Sequence, residues 1–141
     1  MPMYLSILKI EWGIRSLTLC HYLCKDNEPK TSKHMKKYTD RMIIEMVRRI
    51  VAKFNPEKII LFGSYARGTA SSESDVDLLI VMRITESKRM TQLGIRRALH
   101  DIAIPLDVIV SDPSEFEWRK DVVGTIEWPA VHEGRVLYAK S

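Results

Sequence analysis

Between Lys36 and Phe54 the apolar residues Tyr38, Met42, Ile43, Met46, Val47, Ile50, Val51 and Phe54 recur at steps of three and four, which predicts an amphipathic helix. Asn55 and Pro56 stop it. Lys58-Ile-Ile-Leu-Phe62 is a short, apolar, β-branched run ending at Gly63, so it reads as a buried strand entering a tight turn. A second strand is predicted at Val76 to Met82, sequence VDLLIVM. From Ser87 to Ile102 the residues Met90, Leu93, Leu99 and Ile102 form an apolar stripe against Lys88, Arg89, Arg96 and Arg97, the pattern of another helix. Pro105 opens a third strand, LDVIV, at 106 to 110. Ser111-Asp-Pro-Ser114 then carries a polar cap followed by a proline, which suits the first turn of a helix. A last helix at Pro129 to His132 and a strand at Arg135 to Ala139 are separated by Gly134.

The order helix, strand, strand, helix, strand, helix, helix, strand predicts an α/β fold, a small mixed β-sheet with helices packed against it. The polar stretch Lys25 to Lys33, KDNEPKTSK, has the composition of a linker. It divides an N-terminal extension, residues 1–34, from a single domain expected at residues 35–141, and Met35 and Met42 are each candidates for the start of translation. With 141 residues, 45% hydrophobic and 28% charged, the chain is excluded from the disordered, collagenous and multidomain classes.

A net charge of +4 suits a phosphate-bearing ligand without implying a nucleic-acid stripe, and direct nucleic-acid binding is not expected. Cys20 and Cys24 are too close in sequence for a disulfide between them to stabilise much, and a reducing cytoplasm is the natural setting. His21 lies between them, but no second ligand pair at suitable spacing completes a zinc site. Lys9, Glu11 and Arg15 interrupt the apolar residues from Tyr4 to Cys24, so no membrane span is expected.

The chemistry is concentrated in Gly63-Ser-Tyr-Ala-Arg-Gly68 and Ser74-Asp-Val-Asp-Leu78. Asp75 and Asp77 are two apart on a predicted strand, so both side chains face one side of the sheet and can share a hard cation. Without a cation such a pair repels itself. Asp107 sits among apolar neighbours in the next strand, where a lone charge needs a partner or a metal, and adjacency of the two strands would bring the three carboxylates together. Gly63 and Ser64 fall where a strand turns into a helix, so free backbone N–H groups there favour a phosphate. Arg67, about a turn further on, can reach the same anion. The set reads as a site for a nucleoside triphosphate and metal.

Gly63-Ser64, Asp75-x-Asp77 and the later strand residue Asp107 resemble the nucleotidyltransferase domain of the DNA polymerase beta superfamily. GSYARG and SDVDLLIV are similar to the minimal nucleotidyltransferases, including MntA-type antitoxins encoded beside HEPN-domain toxins. The resemblance extends over residues 36 to 140 and includes the closing Glu133-Gly-Arg-Val-Leu-Tyr138. It implies a polymerase-beta-type fold, with Asp75, Asp77 and Asp107 as catalytic residues that hold two Mg²⁺ ions. Asp107 would also activate an incoming hydroxyl. Gly63, Ser64 and Arg67 would bind ATP or another nucleoside triphosphate. It further implies transfer of AMP to a hydroxyl of a partner, a tyrosine of a HEPN-type toxin.

Other readings stand beside these. Asp107 is also placed to cap a turn beside Pro105, and Arg67 to make a surface ion pair. Arg96 and Arg97 read as a solvated helix face, and Tyr65 as a packed aromatic. Phe116, Trp118 and Trp128 are either core or a partner-facing patch. For the chain as a whole, the alternatives are a non-catalytic module that neutralises a toxin by covering it, and nucleotidyl transfer to a small molecule.

Overall fold

The computed structural model describes residues 32–141, with side chains from residue 37 onward; the expected extension and linker lie outside the described residues as far as residue 31, with Cys20, His21 and Cys24, while residues 32–34 belong to the first helix rather than to a linker. Helix α1 spans Ser32–Phe54 and ends at Asn55, which takes a left-handed conformation (φ 46°) and returns its N–H to the Val51 carbonyl at 3.1 Å. An asparagine tolerates that conformation better than most residues, and Pro56 prevents the helix from resuming. There follow β1 (Lys58–Phe62), α2 (Gly63–Arg67), β2 (Val76–Val81), α3 (Lys88–Ala98), β3 (Leu106–Ser111), α4 (Pro113–Arg119), α5 (Glu127–His132) and β4 (Arg135–Ala139).

The four strands form one mixed sheet in the order β3-β2-β1-β4, with β1 antiparallel to both its neighbours and β2 parallel to β3. A parallel pair needs a crossover, and α3 supplies it. Alternation along the strands divides the core into two layers. On one face Ile59, Leu61, Leu78, Ile80, Val108 and Val110 pack against Ile43, Met46, Val47 and Ile50 of α1 and Ile95 and Leu99 near the end of α3. On the other, Ile60, Phe62, Leu79 and Val81 meet Phe116 of α4 and Ala130 of α5. Asp77 and Asp107 belong by alternation to this second face.

The Asp112 carboxylate caps α4 by accepting from the Ser114 N–H at 3.1 Å, with Pro113 in the first turn, as its sequence predicts. Helix α3 departs from the pattern. It is shorter than Ser87 to Ile102, with Ser87 as its cap, and it buries Ile95 and Leu99 while Met90 and Leu93 stay exposed. The buried positions fall toward the C-terminal end, where Ile95 and Leu99 join the core layer between α1 and one face of the sheet, with Gly94 beside the Phe54 ring. No helix among the described residues is long and apolar enough to cross a membrane.

Candidate active site

The register of the sheet assembles the site. Asp77 of β2 pairs with Asp107 of β3, and residues paired across a parallel ladder face the same side about 4.8 Å apart. Phe62, the last residue of β1, pairs with Asp77 from the other flank, so the turn into α2 begins beside that carboxylate. Gly63 opens the turn with φ 71°. A Cβ on it would lie 2.2 Å from Asp77 Oδ2 and 3.1 Å from its Cγ. The Asp77 carboxylate therefore rests over bare backbone, and glycine is required there both for its conformation and for the room it leaves.

Asp75 stands one residue before β2 and is exposed. The preceding turn is tied by the Ser71 N–H donating to Ser74 Oγ at 2.9 Å, and the Val76 N–H joins the Pro105 carbonyl at 2.8 Å, so both aspartates enter β2 from an ordered bend. Ser64 is the second residue of the single turn α2, and its carbonyl accepts the Thr69 N–H at 3.0 Å as the chain leaves through Gly68.

Burial raises the Asp77 carboxyl above the usual aspartate range, and the negative charges of Asp107 and Asp75 push it further in the same direction. Arg67 partly offsets them. Asp77 is thus the electrostatic centre of the group, acted on by the other two acids and by the arginine of the Gly63 to Gly68 turn.

Two arginines border this centre, each already engaged. Arg67 Nη1 meets Glu133 Oε2 at 3.2 Å, linking α2 to the end of α5, so the surface ion pair considered for it is present. Arg96 Nη2 donates to Asp107 Oδ1 at 2.6 Å. Asp107 is therefore turned to a guanidinium, and among the described residues no three His, Cys, Asp or Glu side chains are gathered closely enough to hold a metal ion. Adjacency of the strands aligns Asp77 with Asp107 without closing all three carboxylates on one point.

Arg96 and Glu133 are the participants that sequence reasoning missed. Arg96 read as part of a solvated face, and neither its type nor its spacing signals an acid in the next strand. Phe116 is core and Trp118 is exposed, while the half-buried Trp128 stacks on His132 at 4.5 Å between ring centroids. Tyr65 packs at the margin of the larger core layer. His100 and His132 each bond a carbonyl of their own helical turn, a structural use.

The sheet, the aspartates on its parallel pair and the glycine turn define a nucleotide-transfer fold, and comparison with known proteins agrees. The nucleotidyltransferase domain family matches residues 43–128. The chain is 35% identical over 101 residues to "Putative protein adenylyltransferase MJ0604" of Methanocaldococcus jannaschii, an alignment covering 70% of this chain and 97% of the relative. The crystal structure of a "putative nucleotidyltransferase from Sulfolobus solfataricus" superposes with a TM-score of 0.58 at 21% identity, covering 82% of this chain and 94% of that one, and shares the fold. A crystal structure described as a "toxin-antitoxin with AMP-PNP" aligns more remotely, with a TM-score of 0.45 at 21% identity over 72% of this chain and 73% of that one, a likeness too distant to bear on function. The chain belongs to the nucleotidyltransferase domain family and is a nucleotidyltransferase.

Proposed function

We propose that this nucleotidyltransferase is a Mg²⁺-dependent protein adenylyltransferase that moves AMP from ATP to a tyrosine hydroxyl of a HEPN-type toxin, acting as the antitoxin of the pair. The observation that carries the reading is the Asp77–Asp107 register, with Gly63 held bare against the Asp77 carboxylate. The name of the M. jannaschii relative supports AMP as the group transferred and a protein as the acceptor. The toxin partner rests on the resemblance of GSYARG and SDVDLLIV to the MntA-type antitoxins.

The donor set suits a hard divalent cation. It offers carboxylate oxygens only, and the anionic form of Asp77 is disfavoured by burial and then by its acid neighbours, a penalty that added positive charge relieves. Asp77 and Asp107, paired across the sheet, would hold the ions once Asp107 gives up Arg96, with Asp75 drawn in from the exposed residue before β2, and the chemistry of such ions when bound is to neutralise the charge developing on the attacking and leaving oxygens. The backbone of Gly63 and Ser64 and the Ser64 hydroxyl receive the triphosphate, with Arg67 exchanging Glu133 for phosphate. The acceptor oxygen bonds to the α-phosphorus, the bond from that phosphorus to pyrophosphate breaks, and Asp107 takes the hydroxyl proton. No covalent enzyme intermediate is needed.

The test incubates the full chain with the toxin, Mg²⁺ and ATP radiolabelled at the α-phosphate. Label is expected on the toxin, and replacing its acceptor tyrosine by phenylalanine or introducing Asp77→Ala should abolish it. Binding of ATP without any transfer of label would overturn the reading.

A further inference from the structure

The Arg96–Asp107 ion pair crosses from one face of the sheet to the other. Helix α3 packs through Ile95 and Leu99 on the face formed by Leu78, Val108 and Val110. Asp107 alternates with Val108 and so belongs to the opposite face, with Asp77. The two can meet because β3 is an edge strand of the sheet, and the long Arg96 side chain reaches around that open edge. Arg96 Nη2 lies 2.6 Å from Asp107 Oδ1, and both side chains are about half exposed. An exposed pair on a helix face needs no such route, and Arg97, adjacent in sequence, is not drawn to Asp107.

From this geometry we propose that Arg96 is a positioning residue that occupies Asp107 in the ligand-free chain and competes with the divalent cation for it. The inference rests on the metal reading given under Proposed function. One guanidinium satisfies a carboxylate oxygen that would otherwise face Asp77 as an unbalanced like charge, so the site is kept orderly while empty. Binding a cation at Asp107 requires that bond to be given up, and the guanidinium is then free for another anion. Arg96 thereby lowers the affinity of the site for the ion while keeping Asp107 in place.

The test uses Mn²⁺ alone as the probe, with binding isotherms followed by the loss of the free-ion electron paramagnetic resonance signal, on the full chain and without nucleotide turnover. An exposed ion pair contributes enough that its removal should tighten Mn²⁺ binding by about two- to fivefold in Arg96→Ala. Arg96→Lys, which keeps the charge but not the fork, should fall between wild type and Arg96→Ala. Arg97→Ala removes the same charge from the adjacent position and should change the affinity by less than Arg96→Ala. Equal tightening in Arg97→Ala would assign the effect to net charge and overturn the proposal. If the wild type binds Mn²⁺ and Asp77→Asn does not, while Arg96→Ala binds as the wild type does or more weakly, the competition is refuted and the metal reading stands. If neither wild type nor Arg96→Ala binds Mn²⁺, both fall together.

Discussion

Placing a methyl group at Gly63 tests the centre of the site. Gly63→Ala forces a residue with a Cβ into φ 71°, a left-handed conformation that costs about 1–2 kcal/mol for an L-residue. The new Cβ would stand 2.2 Å from Asp77 Oδ2, so the short Asp77 side chain must leave its position, at a further cost of about 0.5–1.5 kcal/mol for an off-rotamer arrangement. The total is roughly 1.5–3.5 kcal/mol. Asp77→Ala removes the carboxylate and leaves only its Cβ, which lies at an ordinary 3.5 Å from the added atom. In that background Gly63→Ala should therefore cost only the conformational part, about 1–2 kcal/mol. A double-mutant cycle by urea unfolding measures the difference, a coupling of about 0.5–1.5 kcal/mol. Transfer activity should fall by more than about tenfold in Gly63→Ala while the protein remains folded, because displacing a catalytic group by about 1 Å can cost about a hundredfold. Additive costs, with coupling below about 0.3 kcal/mol, would refute the claim that the Asp77 carboxylate rests on the Gly63 backbone.

Gly134→Ala should be worse, since its Cβ would lie 2.1 Å from the Ala130 carbonyl oxygen and 2.8 Å from that of Leu61, and neither backbone atom can swing aside. A loss above about 3 kcal/mol is expected in the same unfolding assay, and a loss below about 1 kcal/mol would contradict the packing of α5 on β1. Asp77→Asn should stabilise the metal-free protein at neutral pH. The folded Asp77 carboxyl titrates above its unfolded counterpart, so between those two values the folded chain holds more protons and stability falls as pH rises. The melting-temperature gain of Asp77→Asn should therefore be present at pH 7 and vanish near about pH 3, where aspartate is protonated in both states. A gain independent of pH would show that ionisation of Asp77 carries no penalty.

The elements fixed by neighbours close in the chain are legible in the sequence. The three- and four-residue steps gave α1, the apolar runs gave β1, β2 and β3, and the cap before Pro113 gave α4, because each depends on neighbours within a few residues. Where partners were distant, the pattern misled. Of the stripe expected for α3, Leu99 and Ile102 do reach the core layer, whereas Met90 and Leu93 stay exposed and Ile95 is buried instead, because which turn of the helix meets the sheet is set by distant packing. Phe116, Trp118 and Trp128 were equivalent in sequence, and only packing sent one into the core and left another in solvent.

The candidate site divides in the same way. Sequence alone determined its ingredients: a glycine and serine at a strand-to-helix turn, two spaced acids, and a third acid in a later apolar strand. These follow from side-chain alternation and turn chemistry, which act within a single element. The tertiary structure decided how the ingredients meet. It put Asp77 opposite Asp107, laid its carboxylate against Gly63, drew Arg67 to Glu133 and brought Arg96 around the edge of β3. Those meetings depend on which strands are neighbours and which strand lies at the edge, and that order is set by burying both faces of one sheet at once, a property of the whole chain rather than of any segment.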